Sequence, residues 1–183
     1  MTGTPAPILE TQRLILRAPE AGDFEAWAAF AGDEEAARYL GGAQPRAVAL
    51  RQMCTMAGAW TVRGFSMFSV VEKATGRWVG RLGPWQPEGW PGLEIGWGLA
   101  RAAWGKGYAT EGAAACMDYV FDILGWRDVI HCIDPQNAGS QAVASRLGSA
   151  MLRTVVLPAP LNEWPIEAWG QTREQWLARR AAG

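Results

Sequence analysis

Cysteine is scarce and scattered. The three residues, Cys54, Cys116 and Cys132, form no CxxC pair and no set spaced to hold zinc. An odd, dispersed set excludes a disulfide framework and implies a reduced, cytoplasmic compartment. Histidine is scarcer still, with His131 alone, and without clustered ligands no metal is expected. A dominant charge is missing as well. Lys+Arg total 17 and Asp+Glu 18, a formal net charge of -1 at pH 7, which argues against nucleic acid and anionic membrane surfaces as partners. No stretch approaches the roughly 18 uninterrupted apolar residues of a membrane span. Residues 1–12 show neither the basic nor the apolar region of a secretory signal.

Tryptophan, by contrast, is abundant: 11, against 5 Phe and 3 Tyr. Each indole offers a broad apolar plate and one N–H, so the set can serve a core and also line a cleft. The 183 residues, 49% hydrophobic and 19% charged, suit one globular domain with a core of its own. No internal repeat or long linker divides the chain.

Periodicity predicts mixed α and β structure around one sheet. A short strand is expected over 13–17. Helices follow: one from Asp23, one capped by Asp33, and one over 47–60 behind Pro45. Strands are expected over 65–73 and 77–85, joined at Ala74-Thr75-Gly76 as a hairpin. A further strand over 93–99 contains Gly96 and Gly98, and glycine inside a strand marks a bulge or a close approach. A long amphipathic helix follows Gly107. Then come a buried strand over 128–133, a short helix over 140–147, closing strands over 151–157 and 166–172, and a terminal helical turn or two.

The chemistry is written in 93–111, LEIGWGLARAAWGKGYATE. A strand runs through a glycine-bearing loop straight into a helix. Such a helix start presents unpaired N–H groups and a partial positive charge. Gly105 and Gly107 leave the backbone open to a phosphate, and Lys106 adds a cation. This suits a phosphorylated ligand, in particular a pyrophosphate. Neither GxxxxGK[ST] nor GxGxxG is present, which counts against a nucleotide or dinucleotide enzyme.

The segment Trp104-Gly105-Lys106-Gly107-Tyr108-Ala109 resembles the acyl-CoA loop of the GNAT superfamily of N-acetyltransferases, with Trp104 where the family usually has Gln or Arg. EIGWGL before it and GYATE within it resemble the branch containing the Rim-type ribosomal-protein N-terminal acetyltransferases. So does Asp134-Pro135-Gln136-Asn137-Ala138-Gly139-Ser140 followed by Val143, Arg146, Leu147 and Gly148. The resemblance covers roughly residues 11–176.

The resemblance implies one GNAT-like α+β domain over 1–183. Its mixed, mostly antiparallel sheet would splay between the fourth and fifth strands and be flanked by helices. It implies acetyl-CoA as co-substrate, an amine acceptor, no metal, and a homodimer as an assembly in keeping with that branch. The pantetheine arm would lie in the splay beside Trp97, Gly98 and Leu99, with Gly96 and Gly98 at a bulge. The pyrophosphate would sit on the loop from Trp104 and Gly105 through Lys106, Gly107, Tyr108 and Ala109 to Thr110. Asn137 would bond the pantetheine, and Lys106 and Arg146 are candidates for the ribose phosphate. Glu94 is the candidate base, acting through water, and Ser140 the candidate proton donor to the thiolate. Each has a plainer reading, Glu94 as a polar strand contact and Ser140 as the N-cap of its helix. Trp85, Trp90 and Glu94 would line the acceptor site. His131, inside the apolar run DVIHCI, reads as a satisfied strand histidine. The expected reaction is direct acetyl transfer to a primary amine, on a protein amino terminus or a small molecule. The alternative is a catalytically inactive acyl-CoA-binding module.

Overall fold

The computed structural model describes residues 6–182, so 1–5 and Gly183 of the expected domain lie outside it. Eight strands form one sheet. They are β1 (Leu9–Glu10), β2 (Leu14–Arg17), β3 (Phe68–Glu72), β4 (Arg77–Trp85), β5 (Glu94–Leu99), β6 (Asp128–Ile133), β7 (Ala150–Val155) and β8 (Ile166–Thr172), in the spatial order β1-β2-β3-β4-β5-β6-β8-β7. Every neighbouring pair is antiparallel except β5 with β6, which is parallel. A parallel pair needs a crossover, and the helix after β5 supplies it. The sequence pattern gives no sign of β1. It shifts the count, so the splay expected between fourth and fifth strands falls between β5 and β6.

The helices are α1 (Phe24–Ala31), α2 (Glu34–Ala37), α3 (Arg46–Arg63), α4 (Tyr108–Asp122), α5 (Ala138–Leu147) and α6 (Arg173–Ala182). Asp33 caps α2 by accepting from the backbone N–H of Glu35 and Ala36, each at 3.0 Å. Pro45 precedes α3 in extended conformation, as a residue without an N–H should.

Two apolar layers hold the sheet. On one face, α4 sets Ala113, Cys116, Met117 and Val120 against Leu14, Leu16, Leu82 and Ile95, all eight fully buried. Burying each leucine contributes about 1.5–3 kcal/mol. On the other face, Trp27, Ala28 and Ala31 of α1 meet Ala49, Met53 and Met56 of α3, with Met67, Trp78 and Trp85 alongside. Buried Asp23 ties this layer to the sheet, bonding both Arg17 and Ser69. Successive β5 residues alternate between the layers. Ile95, Trp97 and Leu99 face α4, and Glu94, Gly96 and Gly98 face α1–α3.

Candidate active site

The ladder fails between β5 and β6. They share one register pair, Glu94 with Ile130, and Ile130 N–H donates to the Leu93 carbonyl at 2.8 Å. The bond from Ala100 N–H to the Val79 carbonyl sets the phase of the β4–β5 ladder. Residues 94, 96 and 98 therefore turn their backbone groups toward β4, and 93, 95, 97 and 99 turn theirs toward β6.

Side chains take over where β6 withdraws. His131 Nδ1 donates to the Ile95 carbonyl at 2.7 Å, and its Nε2 accepts from Ser149 Oγ at 3.0 Å. The indole of Trp104 donates to the Leu99 carbonyl at 2.8 Å. Across the gap, Cys132 N–H donates to Glu94 Oε1 at 2.9 Å. Among the described residues, the N–H and C=O of Trp97 face the gap with no partner. A buried strand does not ordinarily leave a peptide unit so, and an extended ligand arm can pair with it as an added strand would.

Each candidate side chain has a definite place. Glu94 is buried, and its second oxygen accepts from the Trp90 indole at 2.5 Å. Burial pushes its pKa up to about 7, against the pull of Cys132, Trp90 and Arg81. Trp85 stands opposite Glu94 in the β4–β5 register, so Trp85, Trp90 and Glu94 come together at one end of the two strands. On the opposite face, Trp97 Nε1 donates to Ser140 Oγ at 3.1 Å. That bond uses an acceptor lone pair of Ser140 and leaves its O–H free to donate. His131 is buried and its pKa is pulled down to about 4 by burial, so it is a neutral structural residue near pH 7.

The loop before α4 is held from outside. Gly105 and Gly107 have φ of +73° and +79°, a left-handed conformation that disfavours side chains. A Cβ on Gly105 would meet nothing within 4 Å, so the loop is open there. Among the described residues, no side chain caps α4, and the N–H groups of 107–110 have no helical acceptors. Arg13 staples the loop, donating to the Lys106 carbonyl at 2.8 Å and pairing with Glu111 at 2.6 Å. Burial works against the Glu111 carboxylate, yet bonds from Thr11 and Arg13 hold its pKa below the usual value. Lys106 lies 3.5 Å from Glu72, and Glu72 also accepts from Tyr108.

Two expectations need correction. Asn137, not Ser140, is the N-cap of α5, accepting from Ser140 N–H at 3.0 Å. Asn137 Oδ1 is thus already engaged. Gly96 and Gly98 mark no bulge, since the β4–β5 register is unbroken from Gly80–Leu99 to Trp85–Glu94. They make room for protein side chains: a Cβ on Gly98 would come 2.9 Å from Phe30, and one on Gly96 would come 2.8 Å from Met67. Arg146 is exposed in the last turn of α5, roughly 13 Å along the axis from the cap at Asn137. Sequence reasoning also missed Arg13 and Glu111. Their 98-residue separation gave no local signal, although Glu111 closes the GYATE motif.

The family model described as the acetyltransferase (GNAT) domain matches residues 13–150. The chain belongs to the GNAT acetyltransferase family. Among GNAT relatives, the uncharacterized N-acetyltransferase p20 of Bacillus licheniformis is 30% identical over 72% of this chain and 76% of its own. The uncharacterized protein YkkB of Bacillus subtilis is 38% identical over 50% of this chain, an alignment that spans 55% of YkkB. A solved acetyltransferase from Agrobacterium tumefaciens superposes with a TM-score of 0.81 at 27% identity, covering 92% of this chain and 95% of that one. The spermidine N-acetyltransferase of Vibrio cholerae, solved with CoA and spermine, has the same fold, with a TM-score of 0.74 at 16% identity over 91% of this chain and 99% of that one. Free amides at 107–110, open space at Gly105 and the unpaired Trp97 peptide fit the coenzyme A that the family implies.

Proposed function

We propose that this protein is an acetyl-CoA-dependent N-acetyltransferase acting on a primary amine. The observation that carries the reading is the unpaired Trp97 peptide facing the β5–β6 gap, next to the uncapped start of α4. Together they offer a strand edge for pantetheine and amides for pyrophosphate.

Acetyl-CoA, when bound, supplies an acetyl group activated as a thioester. The acceptor nitrogen must be neutral to attack it. An α-amino group, with pKa near 8, is roughly a tenth to a sixth neutral at pH 7. Glu94, poised near neutrality, takes the proton through water as the new C–N bond forms. The N–H of Trp97 faces the gap in which charge develops on the carbonyl oxygen. Ser140 O–H donates a hydrogen bond to the sulfur as the C–S bond breaks, steadying a thiolate of pKa near 8.5 that then takes its proton from solvent. The acceptor is a protein amino terminus, as the Rim-type resemblance implies, or a small-molecule amine.

One observation favours the second reading, an inactive acyl-CoA-binding module: both oxygens of Glu94 are already engaged by Trp90 and Cys132. Incubation with acetyl-CoA and a panel of amines separates the two. Thiol release matched by an acetyl-mass increase in an amine supports the enzyme. Tight CoA binding without transfer to any amine supports the module.

A further inference from the structure

The α1–α3 face of the sheet carries a cation that the mechanism above does not use. Arg81 lies on β4 opposite Gly98, on the same face as Glu94. Among the described residues it forms no ion pair. The acceptor its guanidinium meets is the thioether of Met67, 2.7 Å from Nη1. A guanidinium has five N–H donors in a planar fork, and a thioether is a weak acceptor. Among the described residues, the rest of the fork meets no protein acceptor. Crowding by the protein draws its pKa down to about 10, which still leaves it charged near pH 7.

Arg81 also borders a cavity of about 20 Å³ with Phe30, Leu40, Gln44 and Gln52, enough for a water molecule. Met67 reaches from this arginine toward Glu94. Its Cε lies 2.8 Å from where a Cβ on Gly96 would stand, and Glu94 Oε1 lies 3.4 Å from that same point. A guanidinium and a carboxylate thus share one face, held apart by a flexible methionine instead of paired with each other. Methionine has three rotatable bonds and yields readily to a ligand.

We infer that Arg81 anchors a carboxylate of the acceptor, so that the enzyme acetylates small amines that also carry a carboxylate group. This rests on the acetyltransferase reading above and names its substrate class. The acceptor's carboxylate meets the arginine fork bidentately, and its ammonium group faces Glu94. The zwitterion matches the two charges in sign and order. A polyamine would bring only positive charge against Arg81, and a long peptide amino terminus would bring no carboxylate to the fork unless an acidic side chain lay near.

The test uses the full chain, acetyl-CoA, and free amino acids (the α-amino acids, β-alanine and 4-aminobutyrate), each beside its carboxamide, with spermidine and a C-terminally amidated peptide as further arms. The inference expects kcat/KM at least about tenfold higher for a free acid than for its carboxamide. Carboxamides are the less basic amines, so solution reactivity runs against this order. Arg81→Gln should bring the acid-to-amide ratio to about one, and Arg81→Lys, a cation without the fork, should leave it in between. Melting and CoA binding are measured first, and if Arg81→Gln does not fold, the Arg81→Lys ratio carries the mutational arm. Acids and amides used equally by the wild type, a preference for spermidine or the peptide, or a ratio unmoved in the variants overturns the inference alone. CoA binding with no transfer to any amine overturns the acetyltransferase reading and the inference with it.

Discussion

The sheet from β1 to β5 and the junction from β5 to β6 satisfy the same backbone groups in different ways. In the first region, strands pair with strands along antiparallel ladders, interrupted by one register shift between Val70 and Val71 of β3. At the junction, one register pair survives, and Glu94, His131 and Trp104 bond the peptide groups that a neighbouring strand would otherwise take. An opening made this way is not a defect. Orphaned peptide groups are costly when buried, so side chains must answer most of them before a gap can persist. Those answered define the walls, and those left, the N–H and C=O of Trp97 among them, define where a ligand can pair.

Substitutions can break this contrast. The largest effect is expected at the loop beside the junction. Gly107→Trp fills the approach to the α4 amides and should lower CoA affinity about 100-fold or more, read by calorimetry. Its positive φ adds about 1–2 kcal/mol of strain, so the melting temperature should fall while the fold remains. Unchanged CoA affinity would remove the pyrophosphate from this loop.

Glu94→Gln comes next. Its carboxylate faces Arg81 on β4, the Trp90 indole, and the Cys132 amide on β6. With an acceptor amine of pKa below about 5, only the enzyme should titrate, and kcat should rise with pH through about 7 in the wild type. The variant should lose that limb and about 100-fold in kcat. A limb that survives would show that Glu94 is not the base.

The smallest effect separates two opposing contributions to stability. Glu94 has a raised folded pKa of about 7, so the folded state binds its proton first and gains stability as pH falls from about 7 to the ordinary carboxylate value. His131 has a depressed folded pKa of about 4, so the unfolded chain binds its proton first and stability is lost as pH falls from about 6.5 to 4. Each contributes about 3 kcal/mol over its window, and they largely cancel between. His131→Leu should cost about 1–3 kcal/mol at neutral pH through the unanswered Ile95 carbonyl. It should also expose the Glu94 slope as greater stability on mild acidification, whereas Glu94→Gln should expose the reverse. Denaturant titrations from pH 4 to 8 would read both, and parallel wild-type and variant curves would refute the pairing.

Much of the fold is legible in the order of the residues. The hairpin of β3 and β4 follows from Ala74-Thr75-Gly76 between apolar runs, and α4 from its spacing behind Gly107. Asp33 as a cap follows from its place before two acidic residues. The Asn137–Ser140 exchange is less legible, because both residue types cap helices and only the backbone decides which stands at the boundary. Gly96 and Gly98 mislead for a related reason: glycine announces a close approach without naming what approaches. Phe30, Leu40 and Met67 come from elements far off in sequence.

Length, balanced charge and local periodicity by themselves determined a single mixed α/β domain, and the 93–111 segment placed a phosphate-compatible turn ahead of a long helix. Those features depend on neighbours a few residues apart, which is where turn geometry and amphipathic spacing act. Tertiary structure alone decided that Arg13 staples the loop to Glu111, that His131 and Glu94 hold the two strands of the gap, and that Arg81, on the Glu94 face, meets the Met67 thioether and forms no ion pair among the described residues. Such contacts join segments distant in the chain, and burial, which shifts the pKa values of Glu94 and His131, arises only once those segments have packed.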